Sequence, residues 1–134
     1  MALTVLDAGV VIGVLDADDQ HHPGAVEALR ERLTRGDRMV VPASAYAETL
    51  VGAFRRDEET AAAVELLYAD ANLHVEPLTP DIARSAARLR ARHGNRLRLP
   101  DAFVVATAEA LEARSVVTTD RRWPDGLPVT IEFL

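Results

Sequence analysis

The 134-residue chain contains no cysteine and no lysine. Without cysteine there is no disulfide framework, no cysteine–zinc site and no thiol nucleophile. That absence fits a reducing cytoplasm. Without lysine, a phosphate-receiver domain is excluded, because its acidic pocket needs one. No apolar run approaches the roughly 18 residues of a membrane span. The N-terminal segment has neither a basic region nor a small-residue cleavage site, so no signal peptide is expected. The GxxxxGK(S/T), GxGxxG and GxSxG patterns are missing. So is the DxDxT pattern of sugar phosphatases, since Ala8 and Gly9 follow Asp7. No repeat or low-complexity linker interrupts the chain, and its length suits one domain over residues 1–134.

What is present is ordinary in amount and uneven in placement. Apolar residues make up 49% and charged residues 27%, the balance of a soluble globular protein. That is enough to bury a core without staples. The net charge of −6 argues against broad nonspecific binding to nucleic acid. All fifteen basic residues are arginine. Arg84, Arg88, Arg90, Arg92, Arg96 and Arg98 fall within residues 84–98. They form either a solvated helix face or a phosphate-contacting patch, since a guanidinium fork matches phosphate geometry.

Strands and helices alternate along the chain. Leu3 to Leu6 read as a short apolar strand ended by Asp7, and residues 8–17 as a short helix. Residues 23–36 read as an amphipathic helix with Pro23 at its start and Gly36 at its end. Arg38 to Pro42 form a second strand. Residues 44–56 read as a helix with Ser44 as candidate N-cap, and residues 58–71 as another. Residues 73–78 give a third strand. Thr79, Pro80 and Asp81 open a helix that ends at Gly94, and Pro100 opens one over 99–113. Residues 115–118 and 128–134 supply the last two strands, the closing one in either direction. The strands are continuous apolar runs, which argues for an α/β fold whose parallel sheet is covered on both faces. Ligands of such sheets lie beyond the carboxyl ends of the strands.

Acids gather at that edge. Asp7 ends strand one and Asp120 ends strand four. Asp101 shares a helix face with Val104, Val105, Ala108 and Leu111, so a carboxylate tops an apolar stripe. An acid in the first turn also complements the helix dipole. Glu48 lies about 100° round its helix from a stripe of Ala47, Leu50, Val51 and Phe54, with Gly52 leaving room for a close approach. Carboxylates crowded together repel one another and raise each other's pKa. A divalent cation removes that cost, and oxygen-only donors favour Mg²⁺ or Mn²⁺. Such a site suits phosphodiester hydrolysis. Thr118 or Thr119 offers a hydroxyl to orient a water or a carboxylate. Asp16 to His22 also place acids beside histidines, and read best as a solvated capping loop.

The ordered set resembles the PIN-domain ribonucleases, specifically the VapC-type toxins of toxin–antitoxin pairs. "VLDAGVVIGVLD" is similar to the family's first strand, acid and helix, and "PASAYAETLVG" to its glutamate segment. "LRLPDAFVVATAEAL" is similar to its D-x-x-x-x-A-T-A helix, and "SVVTTDRRW" to its T-x-D segment. The resemblance implies a PIN-like three-layer α/β/α fold with a mainly parallel five-stranded sheet. It makes Asp7, Glu48, Asp101 and Asp120 the acidic quartet that binds Mg²⁺ or Mn²⁺, and Thr118 the auxiliary hydroxyl. It implies cleavage of RNA, often tRNA or ribosomal RNA. Arg121 and Arg122, the arginines nearest the site in sequence, are expected to steady the phosphate backbone. Homodimers are usual in the family, and a VapB-type antitoxin holds its members inactive. An antitoxin helix is expected over apolar surface near the two N-terminal helices, with a basic side chain inserted among the four acids. Many members carry a small polar residue just after the first acid, where this chain has Ala8 and Gly9. A housekeeping PIN nuclease of RNA maturation and a catalytically silent binding module are the alternatives.

Overall fold

The computed structural model describes residues 2–134. Strands β1 (Leu3–Leu6), β2 (Arg38–Pro42), β3 (Leu73–Glu76), β4 (Ser115–Thr118) and β5 (Ile131–Phe133) form one sheet in the order β3-β2-β1-β4-β5. Every pairing is parallel, including β4 with β5, which settles the direction of the closing strand. β5 is shorter than the sequence suggests. Residues 128–130 stay outside it, and Glu132 and Phe133 are exposed, as befits an edge strand.

Six helices make the crossovers. They are α1 (Ala8–Leu15), α2 (His22–Arg35), α3 (Ala43–Arg56), α4 (Glu58–Asp70), α5 (Pro80–His93) and α6 (Leu99–Ala110). A single 3₁₀ turn, Gly94–Arg96, joins α5 to α6. The chain moves outward from β1 to β3, then returns across the sheet to β4. Right-handed crossovers therefore place the helices after β3 on the face opposite those before it, giving three layers. The centre of the sheet is fully apolar, with Val5, Val40, Val41, Val116 and Val117 all within 1% of complete burial. Among the described residues, no helix is long and apolar enough to cross a membrane.

Local chemistry explains most element ends. Pro80 starts α5 beneath a Thr79 cap that accepts from Ile82 N at 3.2 Å. Gly36 closes α2 at φ +74°, a left-handed value that favours glycine. α1 stops at Leu15, two residues before the expected end, because Asp16 turns extended and its Oδ1 accepts from Asp18 N. The loop from Asp16 to His22 is thus a run of capped turns, as its sequence suggests. Ser44 is not a cap. α3 begins one residue earlier, on Pro42, and the Ser44 hydroxyl is buried with no partner.

α3 also departs from its apolar stripe. Its buried positions are Ala45, Thr49 and Ala53, small residues that let the helix approach its neighbours. Val51 and Phe54 face outward, 47% and 50% exposed. A side chain at Gly52 would meet nothing within 4 Å, so the room there is not taken up by a neighbouring element.

Candidate active site

β1 and β4 are neighbours, and the chain leaves them in opposite directions across the sheet. Such a switch point opens a crevice at the carboxyl ends of the strands. Asp7 stands there as the N-cap of α1. Its Oδ1 accepts from Ala8 N at 2.8 Å, and its own backbone N–H donates to Val117 O at 3.0 Å. Its Oδ2 accepts from Thr118 Oγ1 at 2.8 Å. The Thr118 hydroxyl also accepts from Asp120 N at 3.1 Å. One buried hydroxyl therefore fixes the first acid and the loop that carries the last.

Asp7 is 8% exposed. Burial raises its pKa, the hydrogen bonds from Thr118 and Ala8 oppose the rise, and the charge of Asp120 adds to it. Asp120 is shifted the other way. Its Oδ1 accepts from Arg122 Nε at 2.9 Å and from Arg122 N at 3.0 Å, and its Oδ2 from Arg122 Nη2 at 3.1 Å. This fork holds the Asp120 carboxyl below its ordinary range.

Asp101 and Glu48 reach the crevice from helices. Asp101 lies in the first turn of α6, above buried Ala102, Val104, Val105 and Ala108. Burial, then the charges of Asp7 and Asp120, push its pKa up to about 6. Glu48 is surface-exposed yet partly desolvated. Burial and the charge of Asp7 raise its pKa. Neither carboxylate hydrogen-bonds within the chain among the described residues.

All four predicted acids and Thr118 thus meet at one edge. Arg122 is there too, committed to Asp120. Arg121 turns aside, its Nη2 donating to Leu134 O at 3.2 Å. Sequence reasoning placed Arg98 only within a long arginine patch. It is the N-cap of α6, and its charge lowers the pKa of Glu48, Asp101 and Asp120 alike. Its position one residue before the Leu-Pro-Asp start of α6 was the available signal.

The absence of a side chain at residue 9 has a local explanation. A β-carbon at Gly9 would collide with Thr119 Oγ1. The β4 end thus brings a hydroxyl to the space that a side chain at residue 9 would fill.

The donor set suits a hard cation: four carboxylates and hydroxyls, with no sulfur. Neighbouring acids help burial to raise the pKa of Asp7, Glu48 and Asp101. Among the described residues, no three acids or imidazoles converge tightly enough to hold one ion between them as they stand. The acids are near enough to affect one another's titration and too spread for a single all-protein cage. A cation that keeps several waters and binds proteins through one or two carboxylates, as Mg²⁺ does, needs no such cage.

Solved structures with the same fold include two described as VapBC and one as a VapC toxin. The DNA-bound VapBC from Salmonella typhimurium aligns with a TM-score of 0.76 and 21% identity, over 98% of each chain. The VapC20 toxin of Mycobacterium tuberculosis, described as cleaving the sarcin–ricin loop, aligns with a TM-score of 0.67 and 20% identity, over 84% of this chain and 86% of its own. VapBC-5 of Mycobacterium tuberculosis aligns with a TM-score of 0.63 and 26% identity, over 100% of this chain and 98% of its own. No curated protein matches the sequence significantly. The family model for the PIN domain matches residues 4–125, a span that contains all four acids and Thr118, and on that match the chain belongs to the PIN-domain family.

Proposed function

We propose that this chain is a Mg²⁺- or Mn²⁺-dependent endoribonuclease of the VapC toxin type, restrained by a cognate antitoxin. The observation that carries the reading is the meeting of Asp7, Glu48, Asp101 and Asp120 at the β1–β4 switch point, where their charges act on one another. A cation held there supplies Lewis acidity toward water and phosphate. Asp7 and Asp101 are the residues best placed to hold it directly, and Asp120 and Glu48 through water. Thr118 keeps Asp7 oriented. The Glu48 carboxylate, with its raised pKa, takes the proton from the attacking water, since a base nearer neutrality is more effective. The substrate class is RNA, with tRNA and ribosomal RNA foremost. The sarcin–ricin loop activity named for VapC20 is consistent with that class.

The surface beside the acids suits a restraining partner. A groove of about 370 Å³ runs between α1, α3 and α4, lined by Ile12, Leu15, Gly52, Ala53 and Val64, with Glu48 on its wall. It takes an amphipathic antitoxin helix, from which an arginine or lysine reaches the four acids. The groove is bounded by α1, α3 and α4. The outward face of α3, with Ala47, Leu50, Val51 and Phe54, is the surface proposed for a second copy.

Asp7→Asn and Asp101→Asn remove a charged ligand while keeping size. Each is expected to lower RNA cleavage at least 100-fold, about 2.7 kcal/mol of barrier, with the fold retained by circular dichroism. Wild-type cleavage in either variant would overturn the site. Copurification with the untagged product of the neighbouring gene tests the restraint. A chain recovered alone, active and harmless to its host, would point instead to a housekeeping nuclease. A chain that neither cleaves RNA nor binds Mn²⁺ would point to a silent module.

A further inference from the structure

Beside the acids lies a pocket of about 200 Å³, with Asp101 and Asp120 as two of its walls. Its other walls carry the opposite charge, on Arg96, Arg98 and Arg122. Arg122 is committed to Asp120. Arg96 and Arg98 are exposed, and among the described residues neither makes an ion pair or side-chain hydrogen bond. Each guanidinium presents five N–H donors in a planar fork that matches phosphate oxygens. Arg98 also begins α6, a 12-residue helix whose N-terminus no side chain caps, so the first backbone N–H groups lack helical partners.

A second observation points to the same place. Trp123 lines this pocket and is 6% exposed. Its indole N–H is buried with no acceptor. Buried donors without partners are rare in folded proteins, and a small shift of the indole would offer this one to an acceptor in the pocket. The pocket therefore combines free guanidinium forks, a helix N-terminus and an unpaired buried donor, all of which favour an anion.

The acids next to it do not. Four carboxylates repel a polyanionic strand, so a strand that reaches them needs positive charge on one side. We propose that this pocket is a subsite for the phosphodiester adjacent to the one being cleaved in single-stranded RNA, with Arg96 and Arg98 as positioning residues. The proposal rests on the nuclease reading for its substrate. It is more specific than a general arginine patch, because Arg84, Arg88, Arg90 and Arg92 take no part in this pocket. The backbone runs from the acids between the 3₁₀ turn and the start of α6 on one side, and the loop after β4 on the other.

Trp123 is the one tryptophan of the chain, so its fluorescence reports on the pocket. The full chain is titrated with a labelled single-stranded RNA 10-mer in EDTA, which keeps the strand intact, at several salt concentrations. RNA anisotropy gives affinity, and tryptophan emission gives occupancy of the pocket. Arg96→Ala/Arg98→Ala is expected to weaken binding at least tenfold and to remove the emission change. Its salt slope should fall by about 0.7, the value for one phosphate contact on a single strand. In cleavage assays its loss should appear in KM more than in kcat. Arg98→Lys keeps the charge without the fork and should recover part of the affinity. Arg114→Ala, an exposed change at the opposite end of β4, is expected to bind as wild type. Wild-type affinity and salt slope in the double variant would overturn the subsite, as would an equal loss in Arg114→Ala. A wild-type protein that binds RNA with the emission change but never cleaves it in Mg²⁺ or Mn²⁺ would overturn the nuclease reading alone and support the subsite.

Discussion

Asp7 leaves the sheet with both carboxylate oxygens occupied, by Ala8 N and by Thr118 Oγ1, each at 2.8 Å. Asp101 and Glu48 reach the same crevice from helices, and among the described residues their carboxylates accept no hydrogen bond. The sheet side is held by backbone and hydroxyl donors that act whether or not a ligand is bound. The helix side is held by apolar packing below the acids, which fixes their position and does nothing for their charge. The net rise is therefore largest at Asp101, to a pKa of about 6, because no hydrogen bond offsets burial and repulsion there. Positive charge brought to this edge should be felt chiefly on the helix side.

Cation linkage offers the largest effect with which to break that contrast. An ion that binds only the folded site adds roughly 2.7 kcal/mol of stability at 100 times its dissociation constant. The melting temperature of the wild-type chain is expected to rise with added Mn²⁺ or Mg²⁺. Asp101→Asn should blunt the rise, because it removes the acid with most repulsion to relieve. Equal shifts in the two proteins would place the ions elsewhere.

The two sides also differ in the sign of their effect on stability. Thr118→Val keeps the shape of the side chain but removes the donor to Asp7 and the acceptor for Asp120 N. It is expected to cost about 1–3 kcal/mol, the usual price of an unmade buried hydrogen bond. The cost should grow with pH, since that hydrogen bond favours ionised Asp7. Asp101→Asn should do the opposite. The folded carboxyl is raised from 3.8 to about 6, so the folded chain holds the proton more tightly than the unfolded one. Stability from this group is present below pH ~4 and is lost as pH rises to about 6. The rise corresponds to ~3 kcal/mol, which partial exposure reduces to about 1–2 kcal/mol. Asp101→Asn is therefore expected to stabilise the ion-free chain by about 1–2 kcal/mol at pH 8 and by nothing at pH 4. Urea unfolding of both variants at the two pH values checks the pair of signs.

The sheet side was also the more legible in sequence. Apolar runs ending in Asp7 and in Thr118-Thr119-Asp120 carry their own meaning, because a parallel sheet sends all carboxyl ends to one edge. The chain spacing of Asp101 was equally readable, since α6 is apolar around its buried face. α3 was harder. Its core contacts use Ala45, Thr49 and Ala53, which hydropathy barely distinguishes, and its most apolar stripe lies outside. Composition marks where apolar groups are, and small residues mark where helices touch. Arg96 was readable only as one member of the 84–98 patch, and Trp123 only as the end of the T-x-D segment, because nothing local shows that a 3₁₀ turn and the loop after β4 face one another.

The smallest expected effect probes how the sheet side accommodates a glycine beside its first acid. Gly9 has an ordinary negative φ and lies within α1, so its backbone does not require glycine. What requires it is Thr119, whose Oγ1 stands where a β-carbon at residue 9 would fall. Gly9→Ala gains helix propensity, worth about 1 kcal/mol, and incurs overpacking, commonly about 1–3 kcal/mol. The obstacle is one end of a small side chain that is half-buried, so the overpacking should lie at the low end of that range. A net loss of about 1 kcal/mol or less is expected in thermal or urea unfolding. Thr119→Ala introduced with it should remove the collision and leave the helix gain. The double variant is then expected to be at least as stable as Thr119→Ala alone. If Gly9→Ala destabilises equally in both backgrounds, the glycine serves something other than the hydroxyl across the crevice, and the close fit between α1 and the end of β4 is not what fixes residue 9.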